Sequence, residues 1–295
     1  MSWEALGSIV FWGLSFIATK VALEEFLPST VLALRFGIGA ILLLTIQFRR
    51  DRQFLKAFSL RDWVQMAFLA AVGIVGHTLL QSYALLYTTA IDTGWIVAIQ
   101  PVFITLAGRL FLGEVITGRK VLGMALGFFG VYLIISKGVF SLLVFRFAST
   151  AGDLLVLSSA ITWTVFTVGG RGFVSRFPPL VAITPIMMLG FALLCLLSTL
   201  QGGWSGLSQA PPQTWLAVLF LGVFCSGLAY LFWYSALGKR DSSSVGMYLY
   251  LEPFATLIGA TFILHERIGG VTVLGGFLTL FGVYLTTRRP GIQKP

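Results

Sequence analysis

PVFITLAGRLFLGEVITGRKVLGMALGFFGVYL at residues 101–133 returns as PFATLIGATFILHERIGGVTVLGGFLTLFGVYL at residues 253–285. At an offset of 152, 14 of these 33 positions are identical: Pro101 falls on Pro253, Glu114 on Glu266, Gly123 on Gly275, and FGVYL repeats whole. Shared hydrophobicity alone does not produce such a register. Earlier in the chain the offset becomes 151 and sets Trp12 on Trp163, Lys20 on Arg171 and Pro28 on Pro179. The sequence is therefore written twice, with copies predicted over 1–146 and 147–295.

Of the 295 residues, 57% are hydrophobic and 11% charged, whereas soluble domains carry roughly 25% charged residues. The chain reads as an integral membrane protein with no soluble domain at either end. Ten segments approach the ~20 apolar residues that cross a bilayer: 4–23, 30–48, 63–86, 92–112, 120–136, 153–170, 181–200, 213–237, 243–264 and 271–287. The first has neither a basic n-region before it nor a small-residue cleavage site after it, so it is expected to be retained as a span. Trp3, Trp63, Trp204 and Trp215 lie near segment ends, where interfacial rings belong. Five spans per copy is an odd number, so consecutive copies enter the membrane from opposite sides. The predicted fold is all-α, with ten transmembrane helices in two inverted five-helix repeats, an arrangement typical of secondary transporters.

Charge sets the orientation. With the N-terminus inside, the inner connections hold Arg49, Arg50, Arg52, Lys56, Arg61, Arg109, Arg119, Lys120, Arg171, Arg176, Lys239, Arg240, Arg288, Arg289 and Lys294, and the outer ones Lys137, Arg146 and Arg267. This bias predicts that both termini are cytoplasmic. It also accounts for the net charge of +9 as topology and headgroup contact, with no call for a nucleic-acid partner.

Several chemistries are excluded. Cys195 and Cys225 fall in apolar runs and read as small apolar filler. His265-Glu266 lacks the second histidine of an H-E-x-x-H zinc helix, and the glycines lack a P-loop's lysine and Ser/Thr pattern. No metal, cofactor or ATP site is expected.

WGLSFIATKVAL at 12–23, LALRFGIGA at 32–40, QPVFITLAGRLFLGE at 100–114 and EPFATLIGATFILHE at 252–266 resemble the EamA-type repeats of the drug/metabolite transporter superfamily over nearly the whole chain. The resemblance implies a ten-helix bacterial inner-membrane exporter whose central cavity is lined mainly by helices 1, 3, 4, 6, 8 and 9. One departure matters: the first copy has Gln100 where the second has Glu252. Any role that needs a carboxylate is confined to the second copy.

Helical spacing sorts the polar residues into stripes. Ser8, Trp12, Ser15 and Thr19 share a face of helix 1, and Ser159, Trp163, Thr167 and Gly170 share one on helix 6. Helix 3 offers Gly73, His77 and Gln81, helix 8 Ser226, Tyr230 and Tyr234, and helix 9 Ser244, Tyr248 and Glu252. Taken singly, small polar residues mediate helix contacts and rings fill a bundle. Together they predict a pocket for a small, partly apolar solute, with Trp12, Ser15, His77, Gln81, Trp163, Thr167, Tyr230, Ser244 and Tyr248 as substrate contacts. His77 is read either as a structural hydrogen-bonder or as a substrate or proton contact.

Coupling or gating is assigned to Glu252, Pro253, Gln100, Pro101, Lys20 and Arg35. The two prolines occupy matching points of helices 4 and 9 and predict paired bends near mid-membrane. Glu252, at that depth, is read as bracing the bend or carrying a proton. For Lys20 and Arg35, near the outer ends of their helices, snorkelling is expected, Lys20 toward Glu24 or Glu25, with a substrate carboxylate as the alternative. Glycine spacing at Gly123, Gly127, Gly275 and Gly282 predicts packing of helices 5 and 10 between the halves or with a partner chain.

The functional expectation is a secondary transporter exporting small amphipathic metabolites, neutral or aromatic amino acids above all, across the inner membrane by alternating access, as a monomer or weak homodimer whose partners are the solute and the bilayer. The rivals are a sugar-nucleotide or phosphorylated-solute antiporter, which needs several deep basic residues, and an intramembrane lipid-modifying enzyme, which needs a nucleophile beside a base.

Overall fold

The computed structural model describes residues 2–84, 87, 97–136, 151–255 and 270–287. His265, Glu266, the six basic residues Lys137, Arg146, Arg267, Arg288, Arg289 and Lys294, the 146/147 boundary and the parts of the predicted spans at 92–96 and 256–264 lie outside them. The described chain is all helical. In order it forms α1 (Trp3–Leu23), α2 (Pro28–Arg50), α3 (Leu60–Ala84), α4 (Gln100–Leu112), α5 (Gly118–Ser136), α6 (Ala151–Val174), α7 (Pro179–Leu200), α8 (Pro212–Lys239), α9 (starting Ser242–Gly246 and running through 252–255) and α10 (Gly270–Thr287). Of these, α1, α2, α3, α6, α7 and α8 are long and apolar enough over their described residues to cross a membrane.

Local sequence explains where the helices start. Pro28, Pro179 and Pro212 each sit in a first helical turn, where a missing N–H costs nothing. Ser59 and Asp62 cap each other's backbone in a capping box at the head of α3, and Arg176 donates to Asp62 at 2.7 Å from the turn after α6. Both α3 and α8 are interrupted by a π-helical turn, at Ala70–Gly76 and Leu221–Leu228, which coincide under the 151 offset. The helix breaks around Pro101 and Pro253 fall just before them. A 3-10 turn, Met247–Leu251, precedes Glu252-Pro253, and the α4 helix begins at Gln100 with Pro101 in its first turn.

The core lies between the copies. The most extensive helix pairings all join an element of 1–136 to one of 151–287: α5 on α10, α2 on α7 and on the π turn of α8, α3 on α6, α4 on α6 and on the start of α9, and α1 on α8. Small residues make these approaches possible without a hydrophobic drive between helices in lipid. A Cβ on Gly123 would stand 2.6 Å from Gly282 O, and one on Gly282 would stand 2.6 Å from Gly123 O. The glycines of α5 and α10 thus serve contact between the copies of one chain. Across α2 and α7, Thr30 Oγ1 meets Ser198 Oγ at 2.9 Å and donates to Gly203 O at 2.9 Å.

Placing a large side chain at that backbone contact is expected to separate the copies. Gly123→Leu is predicted to cost about 1–3 kcal/mol, the usual price of overpacking, read as a lowered thermal midpoint in detergent. Leu at the exposed neighbour Val121 is expected to leave the midpoint unchanged.

Candidate functional site

A cavity lies within the bundle on the side of the α1–α2 turn, above a floor of rings at mid-helix. Its lining is Trp12, Ser15, Thr19, Leu32, Arg35, His77, Thr78, Gln81, Ser82, Val97, Gln100, Trp163, Tyr230, Leu249 and Glu252, around about 670 Å3 of space including the mouth. Trp12 and Trp163, equivalent positions of the two copies, meet edge to face in the floor with centroids 5.0 Å apart at 87°. Tyr230 stands edge-on to both, at 5.5 and 6.0 Å. His77 lies 4.8 Å from the Trp163 ring, and its Nδ1 is 2.9 Å from Ser159 O.

The cavity brings together Trp12, Ser15, His77, Gln81, Trp163, Tyr230, Gln100, Glu252 and Arg35 from seven helices. Thr167, Ser244, Tyr248, Lys20, Pro101 and Pro253 are not in its lining. Lys20 is exposed near the end of α1. Thr167 is buried behind the floor, and Tyr248 is buried, its hydroxyl accepting from Ser2 N at 2.5 Å. Arg35 differs from the snorkelling expectation. It is only 8% exposed, its Nε donates to Ser226 Oγ at 2.9 Å, and its guanidinium lies 5.3 Å from the centre of the Phe36 ring. Among the described residues no ion pair involves it. A hydroxyl carried on the π turn of α8 gives the guanidinium an inward partner, which spacing along α2 alone does not reveal.

The opposite face is closed, and its chief device was missed by sequence reading. Glu114, in the turn after α4, accepts four hydrogen bonds: from Ser242 N (2.6 Å), Ser242 Oγ (2.8 Å), Ser243 N (3.0 Å) and Ser243 Oγ (2.6 Å). A carboxylate from the first copy thereby caps the first turn of α9 in the second, where unpaired N–H groups favour negative charge. Lys120 closes the same corner, reaching Ser243 Oγ at 2.6 Å and Asp241 at 3.2 Å. Lys239 pairs with Glu4 beside it. Glu114 was visible in the sequence as a repeated residue, but its partners lie 128 and 129 positions away.

The sequence profile of the EamA-like transporter family matches this chain twice, over residues 3–136 and 150–288. The chain belongs to the EamA-like transporter family. An "uncharacterized transporter" of Archaeoglobus fulgidus is 34% identical over 96% of this chain and 95% of its own length. The "uncharacterized transporter YyaM" of Bacillus subtilis is 30% identical over 94% and 92%. A "probable terminal-alkyne amino-acid exporter" of Streptantibioticus cattleyicolor is 25% identical over 97% and 93%. A protein crystal structure 21% identical in sequence superposes with a TM-score of 0.79 over 97% of this chain and 96% of its own, a likeness of fold. This is a multi-pass membrane transporter and not an enzyme.

Removing the Glu114 cap is expected to loosen the closed face alone. Glu114→Ala leaves the first-turn donors of α9 without their acceptor, at a cost of about 1–3 kcal/mol. A cysteine at Val245, buried in α9, is then expected to react faster with a maleimide, while a cysteine at Ser82 in the cavity gains no reactivity.

Proposed function

We propose that this transporter exports small amphipathic solutes, neutral or aromatic amino acids above all, by alternating access between two inverted five-helix repeats, 1–146 and 147–295. The observation that carries the reading is the composition of the cavity: three aromatic rings, one cation and one carboxylate share a single lining. A zwitterion with an apolar side chain matches each part. Its carboxylate suits the Arg35 guanidinium, its ammonium suits Glu252, and its side chain suits the Trp12, Trp163 and Tyr230 rings, whose faces also favour cations. The probable terminal-alkyne amino-acid exporter of Streptantibioticus cattleyicolor, similar along nearly its full length, supports an amino-acid substrate.

A phosphorylated solute or sugar nucleotide fits less well. It needs several deep cations, yet Lys20 is exposed and Arg171 is spent on Leu237 O at 2.7 Å. The charge bias of the connections supports cytoplasmic termini, and the family resemblance supports a bacterial inner-membrane location. In that orientation the Glu114 corner faces the cytoplasm and the cavity faces outward. The mutual contact of α5 and α10 supports a working monomer, with a weak homodimer as the alternative.

Labelled amino acids in proteoliposomes, with and without an imposed pH gradient, test the proposal. Saturable phenylalanine or tryptophan flux above empty liposomes is expected. Arg35→Gln is expected to raise KM about tenfold or more, as loss of a charged hydrogen bond does, and to lower the thermal midpoint through the lost bond to Ser226. If Glu252→Gln transports with the same dependence on the gradient, Glu252 carries no proton. Absence of flux for every amino acid from folded protein overturns the substrate class.

A further inference from the structure

Trp163 Nε1 is a buried donor with no hydrogen-bond partner among the described residues. Trp12, its counterpart at offset 151, donates Nε1 to Cys225 O at 2.9 Å. The same offset carries Cys225 back to Ile74. Both carbonyls belong to the matching π turns, Ala70–Gly76 and Leu221–Leu228, a local winding that recurs at functional sites. Other buried polar atoms also lack partners. Trp163 stands apart because its equivalent makes the bond that it lacks.

The neighbouring serines show the same asymmetry. Ser8 Oγ crosses to Ala229 O at 2.9 Å. Ser159, 151 positions later, turns back on its own helix to Val156 O at 2.7 Å and leaves Thr78, the counterpart of Ala229, alone. Helix α1 is therefore pinned to α8 by two bonds that α6 does not make to α3. What joins α6 to α3 instead is His77, through Ser159 O, and Ile74 O is held by Thr78 Oγ1 at 2.5 Å. Neither side chain has a counterpart, since positions 228 and 229 are Leu and Ala.

We propose that Trp163 Nε1 and Ile74 O form the bond that holds the opposite-facing state, in exchange for the Trp12–Cys225 bond of the present one. The inference rests on the alternating-access reading: in a duplicated transporter the copies trade shapes between states, so a bond made by one copy alone marks a state. Ser159 Oγ and Thr78 O make the companion bond, replacing Ser8 and Ala229 O. The Thr78 hydroxyl releases Ile74 O as Trp163 arrives, and His77 gives up Ser159. Trp163 is thus a positioning residue for the conformational step.

The test measures the balance of states directly. In a Cys195→Ala, Cys225→Ala background, which keeps the carbonyl at 225, Ser82→Cys and Val245→Cys report separately on the cavity and the closed face. Maleimide labelling rates are compared as a ratio, cavity over closed face, in proteoliposomes. Trp12→Phe is expected to lower this ratio and Trp163→Phe to raise it, each about two- to tenfold for one hydrogen bond. Thr78→Val, which frees Ile74 O, is expected to shift it in the Trp12→Phe direction. Both Phe substitutions remove the same atoms from one cluster, so a packing role moves the ratio the same way in both. Same-direction shifts, or an unchanged ratio for folded Trp163→Phe, overturn the exchange. Labelling needs no solute, so opposite shifts without amino-acid flux overturn the substrate proposal and leave the exchange standing.

Discussion

A bilayer offers no partner to a polar group, so a hydroxyl, guanidinium or carboxylate within this bundle gains most from a partner inside it. The two copies answer that constraint by bonding to each other. Ser8 and Trp12 reach backbone carbonyls of α8, Thr30 reaches Ser198 and Gly203, Arg35 reaches Ser226, and Glu114 caps α9. Each of these bonds joins residues more than a hundred positions apart. Neither copy is self-sufficient, and the dominant helix pairings lie between them.

That interleaving places the functional parts. The floor of the cavity forms where equivalent tryptophans meet, and the walls come from α1, α2, α3 and α4 of one copy and α6, α8 and α9 of the other. On one side of the floor, among the described residues, lies the cavity. On the other, Glu114, Lys120 and Lys239 tie the copies together. A ring floor with one face open and one clasped is the geometry a carrier needs if the two faces open in turn.

Much of this was legible beforehand. The duplication, the helical class and the aromatic stripe followed from repeat register and spacing, because identical residues at a fixed offset and a 3.6 period need no knowledge of neighbours. Trp12, Ser15 and Thr19 of helix 1 and His77 and Gln81 of helix 3 were read from periodicity for the same reason, while Thr78 and Ser82, which also line the cavity, were not. Thr167 and Tyr248 lay on the right stripes but fell behind and below the cavity, since a stripe fixes a direction around one helix and not how far its partner stands. Glu114 was seen as a repeated letter only.

The sequence by itself determined that the chain is membrane-embedded, duplicated and built of helices, because composition, period and repeat are properties of the chain alone. Only the tertiary structure decided which copy holds which bond. Trp12 and Trp163 are the same letter at the same place in the repeat, yet one is bonded and the other is not. Two equal copies packed against each other cannot both take the shape that closes one face, and that choice is made by their packing.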